Sequence, residues 1–183
     1  MITNNYDAAL VVDKIIKARV RDIKDFPVSG VLFRDITPLL SDGPAFKRCI
    51  DELYKIVNGM EIGAIAGIES RGFIIGAPLA YEMGVGFIPI RKSGKLPYKK
   101  INKDYELEYG KTSLEMHMDA VEDGKSVLIV DDILATGGSA SAAASLIRAA
   151  GGRVAGFAFL IELSELKGRE KLKGAPVIVL TTY

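Results

Sequence analysis

The chain has 183 residues, 49% hydrophobic and 26% charged, with 24 Lys plus Arg against 23 Asp plus Glu. That length suits one domain with a substantial core, and the balance excludes a chain dominated by disorder. The net charge of +1 lacks the basic excess with which proteins neutralise long nucleic acid, so no nucleic-acid partner is expected.

The N-terminus, MITNNYDAAL, has no basic stretch followed by an apolar one, so a secretory signal is not expected. Residues 5–23 read as an amphipathic helix with Val11, Ile15 and Ala18 on one face. The FPVSG at 26–30 breaks it and begins an extended or turning segment. A second helix is predicted over 44–59. Pro44 suits its first turn, and Phe46, Cys49, Ile50, Leu53, Val57 and Met60 share one face. Cys49, alone in the chain and on that face, is expected to be a buried thiol in a reducing cytoplasm.

The period then changes. IGAIAGI at 62–68 reads as a strand buried on both faces, followed by ESRG at 69–72 and a helix to about Gly84. Residues 85–90 form another apolar run before a loop rich in Lys, Gly and Pro. Residues 105–118 look like strand, with Leu114, Met116 and Met118 opposite an exposed side bearing Glu115 and His117. A buried strand over 125–130 leads to a Gly-rich turn and a small-residue helix over 139–150. Strands follow over 154–163 and 177–181. The run at 154–163 is interrupted by Gly156 and Glu162 and is too short to span a bilayer, so no membrane partner is expected. Buried strands alternating with helices predict a single α/β domain with a central, largely parallel sheet flanked by helices.

The string VLIVDDILATGGS at 127–139 carries the most chemistry. A buried strand delivers Asp131 and Asp132 to the carboxyl edge of the sheet, where α/β proteins bind ligands. Ala135, Thr136, Gly137, Gly138 and Ser139 follow at a helix N-terminus, where backbone N–H groups and the helix dipole favour a phosphate. Two carboxylates beside a phosphate cradle suit a ligand with hydroxyl donors next to its phosphate, such as ribose 5-phosphate. The bland alternative is a capping Asp pair before a glycine loop. No G-x-x-x-x-G-K-[ST], and no G-x-G-x-x-G after a strand, competes.

This string resembles the phosphoribosyl diphosphate (PRPP) motif of type I phosphoribosyltransferases. The resemblance implies that Asp131 and Asp132 hold the ribose, that residues 135–139 hold the 5′-phosphate, and that Mg²⁺ arrives on the diphosphate. GIESRGF at 67–73 is a second strand-to-helix turn, whose N–H groups and Arg71 can hold a diphosphate. It is similar to the family's diphosphate loop, which implies a cis peptide between Glu69 and Ser70. RKSGKLPYKKINK at 91–103 carries six positive charges and no acid, and reads either as a solvated loop or as a lid that excludes water. With LEYG at 107–110 it is similar to the lid of the adenine-specific members. There the resemblance sets Arg91, Lys92 and Lys95 beside diphosphate and makes Glu108, near purine N7, catalytic with Arg71.

FPVSGVLFRDITP at 26–38 resembles the adenine-binding segment of the same members, with Phe33 packing on the base and backbone groups of Leu32 and Arg34 reading its edge. Ser29 departs from the Pro often found there. The resemblance runs over about 26–172, including ELSELKGREK at 162–171. The division expected is an N-terminal helix at 1–25, a base segment at 26–40 and a lid at 91–110, within a homodimer. Two alternatives are a transferase for a 6-oxopurine and a non-catalytic PRPP sensor. FRDITP and Glu108 weigh against the first, and the retained lid against the second. His117, the sole histidine, supports no hydrolytic triad, and no cluster at metal-ligand spacing occurs.

Overall fold

The computed structural model of the protein describes residues 4–107 and 110–183. Its elements run α1 (Asn4–Lys17), β1 (Arg21–Lys24), β2 (Leu32–Asp35), α2 (Thr37–Ser41), α3 (Gly43–Val57), β3 (Ala64–Ile68), α4 (Arg71–Met83), β4 (Gly86–Lys92), β5 (Lys100–Leu107), β6 (Gly110–His117), β7 (Ser126–Leu134), α5 (Gly138–Ala149), β8 (Arg153–Glu162) and β9 (Val177–Thr182). Short 3₁₀ turns at Ser164–Leu166 and Gly168–Lys171 link β8 to β9.

A seven-stranded sheet in the order β5-β6-β4-β3-β7-β8-β9 forms the centre. The five strands β4-β3-β7-β8-β9 are parallel, as the alternation of elements predicts, and β6 and β5 add an antiparallel edge. From β3 the chain proceeds to one side of the sheet, and from β7 to the other. The carboxyl ends of β3 and β7 therefore flank a topological switch point, where open α/β sheets form a crevice.

Strand alternation divides the core into two layers. Val127 and Ile129 pack with the alanines of α5, whereas Leu128 and Val130 pack with α1, α3 and α4. On α3, Cys49, Leu53 and Val57 are fully buried, and Asp42 caps the helix by accepting from Ala45 N–H at 3.0 Å. Burial pushes the Cys49 thiol up to about 12.

The first helix differs from its prediction. It ends at Lys17, and residues 21–24 form β1, paired antiparallel with β2. Arg21 binds Asp35 at 2.7 Å, and Arg34 pairs with Asp22 across the same two strands. These partners lie about a dozen residues away, so local periodicity does not register them. The fully buried stripe of α1 is Val12 and Ile16; of the residues predicted, Ile15 packs half-buried beside them, whereas Val11 and Ala18 are exposed. Residues 105–118 also contain two strands rather than one, and β6 is covered on both sides. Glu115 is as buried as Leu114 and Met116, whereas Met118 is exposed. His117 is partly buried, its ring 5.9 Å from that of Tyr98.

Candidate active site

A cleft of about 840 Å³ opens at the switch point. Its walls combine Leu32, Phe33 and Arg34 from β2, Arg71 from the start of α4, Asp131 and Asp132 from β7, and Ala135, Thr136 and Ser139 from the turn into α5. Three sequence segments read separately as base, diphosphate and ribose-phosphate elements thus meet in one concavity. β7 continues through both acids to Leu134, so Asp131 and Asp132 stand within the strand rather than beyond it.

Successive residues of a strand face opposite layers, and the two acids accordingly meet different partners. Asp132, 3% exposed, has Oδ2 at 2.9 Å from Arg71 Nε. The N–H direction misses that oxygen, which therefore has an ion pair but no hydrogen-bond donor. Asp131 Oδ1 accepts the N–H of Asp132 at 2.9 Å. Burial and then the Asp132 carboxylate push the pKa of Asp131 well up. Burial also raises that of Asp132, although Arg71 opposes the shift. On β5, burial and then the Asp131 charge raise the pKa of Tyr105.

The turn after β7 is shaped by backbone against backbone. Gly137 holds φ +74 at the N-cap of α5, and a Cβ there would strike the carbonyl of Gly168. A Cβ on Gly168 would in turn overlap the Ala135 carbonyl and lie 2.9 Å from Gly137 N. Only glycine at both positions permits this contact, so the Gly168–Lys171 turn buttresses the 135–139 loop.

The base segment is folded by its own groups. The Phe26–Pro27 peptide is cis, and Asp25 Oδ1 accepts the Gly30 N–H at 2.7 Å. Ser29 Oγ donates to the same oxygen at 3.4 Å, a tie that a proline could not make. Phe33 meets Phe26 edge to face at 5.2 Å, and the Arg71 guanidinium lies 5.3 Å from the Phe33 ring centre. Arg34 points its side chain away from this pair, onto the Tyr183 ring at 4.0 Å and to Asp22.

The remaining expected residues form a second group. The Glu69–Ser70 peptide is cis, as the resemblance implies. Glu69 Oε2 accepts from Lys92 N–H at 3.0 Å and Arg91 Nε at 3.2 Å. Burial alone would raise Glu69, but these donors hold it below the usual range. Lys92 and Lys95 are exposed, and with Arg91 they stand outside the cleft wall. Glu108 lies outside the described residues. Leu163, Glu165 and Leu166 also line the cleft, although the sequence reading assigned them no role. Their signal is positional: they follow the carboxyl end of β8, at the same sheet edge as the acids.

A largely parallel sheet with an acid pair and a glycine-shaped turn at a helix N-terminus beside its switch point is the architecture of a type I phosphoribosyltransferase. The phosphoribosyl transferase domain family matches residues 39–181. The adenine phosphoribosyltransferase of Brevibacillus brevis is 53% identical over 167 residues, covering 91% of this chain and 98% of that protein. The crystal structure of adenine phosphoribosyltransferase from Thermoanaerobacter pseudethanolicus superposes with TM-score 0.91 at 50% identity, covering 93% of this chain and 99% of that one. The Saccharomyces cerevisiae adenine phosphoribosyltransferase, solved with an imino-altritol bisphosphate and adenine, gives TM-score 0.87 at 40% identity, covering 93% and 99%. The chain belongs to the adenine phosphoribosyltransferase family.

Proposed function

We propose that the protein transfers the 5-phosphoribosyl group of PRPP to adenine, giving AMP and diphosphate. The observation that carries this reading is the meeting of the base segment, Arg71 and the acid–phosphate string in one 840 Å³ cleft. Asp131 and Asp132 take the ribose hydroxyls, and Ala135, Thr136, Gly137, Gly138 and Ser139 take the 5′-phosphate through backbone N–H groups and hydroxyls. Glu69, Ser70, Arg71, Arg91, Lys92 and Lys95 serve the diphosphate. Phe33 packs on adenine, while peptide groups of Leu32 and Arg34 meet its edge.

The bond from C1′ to diphosphate breaks as adenine N9 approaches from the opposite face, through an oxocarbenium-like centre. Arg71, Arg91, Lys92 and Lys95 neutralise charge on the departing diphosphate. Glu108 shares a proton at purine N7 as positive charge develops on the ring. Residues 91–110 act as a lid that keeps water from the activated centre. The Asp131–Asp132 pair presents carboxylate oxygens, the donors a hard cation takes, beside the proposed substrate, with Asp132 Oδ2 already paired with Arg71. Mg²⁺ carried on the diphosphate supplies further charge neutralisation when bound. The enzyme is proposed to work as a cytoplasmic homodimer. Among the described residues, no helix is long and apolar enough to cross a membrane.

Incubation with PRPP and Mg²⁺, offering adenine, hypoxanthine, guanine and xanthine separately, tests the reading. Peptide groups cannot reverse donor and acceptor to suit a 6-oxopurine, so adenine should lead by about 10⁴ in kcat/KM. Comparable turnover of hypoxanthine or guanine would overturn the base assignment.

A further inference from the structure

Outside the cleft, the most fully bonded buried charge among the described residues is the Glu115 carboxylate. Glu115 sits on β6 opposite Arg91 of β4, and is 0% exposed. Its Oε1 accepts the backbone N–H groups of Lys95 at 2.8 Å and Leu96 at 2.7 Å. Its Oε2 accepts the N–H of Gly94 at 3.1 Å and is 2.7 Å from Lys100 Nζ. Three consecutive peptide donors converging on one oxyanion make a nest of the kind that elsewhere binds free anions. Here the chain supplies the anion itself. Burial alone would raise the Glu115 pKa, but Lys100 and the three N–H groups outweigh it and hold the group at about 2.

With both oxygens doubly bonded and no solvent contact, Glu115 has no capacity left for substrate. Its effect falls on the turn it grips. That turn carries Lys95 and is joined to Arg91, whose Nη1 donates to the Lys95 carbonyl at 3.3 Å. At its other end the 91–96 segment, a strap between β4 and this turn, is tied to the cis loop, where Glu69 accepts the Lys92 N–H and donates its own N–H to Ile90 O at 2.8 Å. The strap therefore hangs between two carboxylates, one in the diphosphate loop and one in the sheet edge.

We propose that Glu115 is a positioning residue that fixes the 94–96 turn and so aims Lys95 and Arg91 at the diphosphate. This rests on the assignment of those two cations to diphosphate made above. Glutamine at 115 could keep one oxygen for two of the N–H groups, but its NH₂ would face the Gly94 N–H and the Lys100 ammonium, donor against donor. The strap would shift without loss of the sheet, and a shift of about 1 Å in a positioned charge can cost about 10²-fold.

The experiment measures magnesium diphosphate and AMP affinities by calorimetry for wild type, Glu115→Gln, Lys95→Ala and the double variant, with melting temperatures alongside. Glu115→Gln should weaken diphosphate binding about 10- to 100-fold and leave AMP binding, served by β7 and the 135–139 loop, within about twofold. Lys95→Ala should cost much in wild type and little in the Gln background, because the lysine is then already misaimed. Equal losses for diphosphate and AMP, or strictly additive effects, would overturn the proposal. If the Gln variant does not fold, amide hydrogen exchange in wild type decides: protection of Gly94, Lys95 and Leu96 before substrate is added supports a prebuilt turn, and free exchange refutes it. Wild type that binds no diphosphate, or transfers nothing to adenine, would instead sink the underlying assignment.

Discussion

The segment at 127–139 and the strap at 91–96 both carry groups proposed for PRPP, yet they are held by different means. The first is set by main chain on main chain: β7 lies between β3 and β8, and the following loop rests on Gly168 through contacts that admit no Cβ. The second is set by side-chain charges, with Glu69 and Glu115 gripping its peptide N–H groups. A loop fixed by packing keeps its shape until the core yields. A strap fixed by carboxylates moves whenever one anchor is exchanged, and it can do so without unfolding anything. Under the proposed function, this difference would give the first region the ground-state grip on ribose and phosphate and the second the aim of the diphosphate cations.

The comparison breaks most visibly if the rigid region does not dominate affinity. Replacing Asp131 and Asp132 together with Ala removes hydrogen bonds from charged acceptors and should weaken PRPP binding by about 10²- to 10⁴-fold in a folded protein. Calorimetry that finds PRPP affinity unchanged would remove the ribose from this strand. In the segment proposed as a lid, Glu108→Ala should lower kcat by about 10²-fold or more while PRPP affinity stays near wild type, with Glu108→Gln recovering part of the loss. Near-full kcat in the Ala variant would end the proton-sharing role.

A smaller effect sharpens the backbone argument. Gly168→Ala, distant in sequence from every proposed ligand group, should displace the 135–139 loop and raise KM for PRPP about tenfold, with KM for adenine little changed. Unaltered kinetics would show that the loop does not depend on that contact. The smallest effect concerns stability. The pKa of Asp131 is raised in the fold, so the stability tied to its proton is present below the ordinary carboxylate range and is lost as pH rises through the raised value. Asp131→Asn should therefore melt about 2–4 °C above wild type near pH 8, the shift that ~1 kcal/mol produces in a chain of this size, and the gain should fade toward pH 4. A lower melting temperature near pH 8 would contradict the cost placed on that carboxylate.

Much of the rigid region was legible in sequence because its signals are local. A buried strand, two acids and a glycine turn occur in order within thirteen residues, and the structure keeps that order. The sequence reading went astray where partners are distant. Residues 21–23 read as helix because their strand partner begins at Leu32. Glu115 read as exposed because Leu114 and Met116 alternate with it, and no pattern in β6 reveals that the 94–96 turn folds over its other side. Leu163, Glu165 and Leu166 gain their place from where β8 ends, a property of topology rather than of their own residue types.

The outward turn of Arg34 has a consequence for how base choice can change. Its guanidinium is engaged with Tyr183 and Asp22, and only its peptide group is left for the proposed reading of the purine edge. A peptide presents the same donor and acceptor whichever side chain it bears, proline excepted because its nitrogen carries no hydrogen. Substitutions at Leu32 or Arg34 other than proline would therefore leave the reading pattern intact, and a deep mutational scan of base preference should be nearly flat at both positions apart from proline. A new preference would need the chain path itself to move, through an insertion, a deletion or a rebuilt 25–31 turn. Specificity of this kind is buffered against point mutation and tied to loop length.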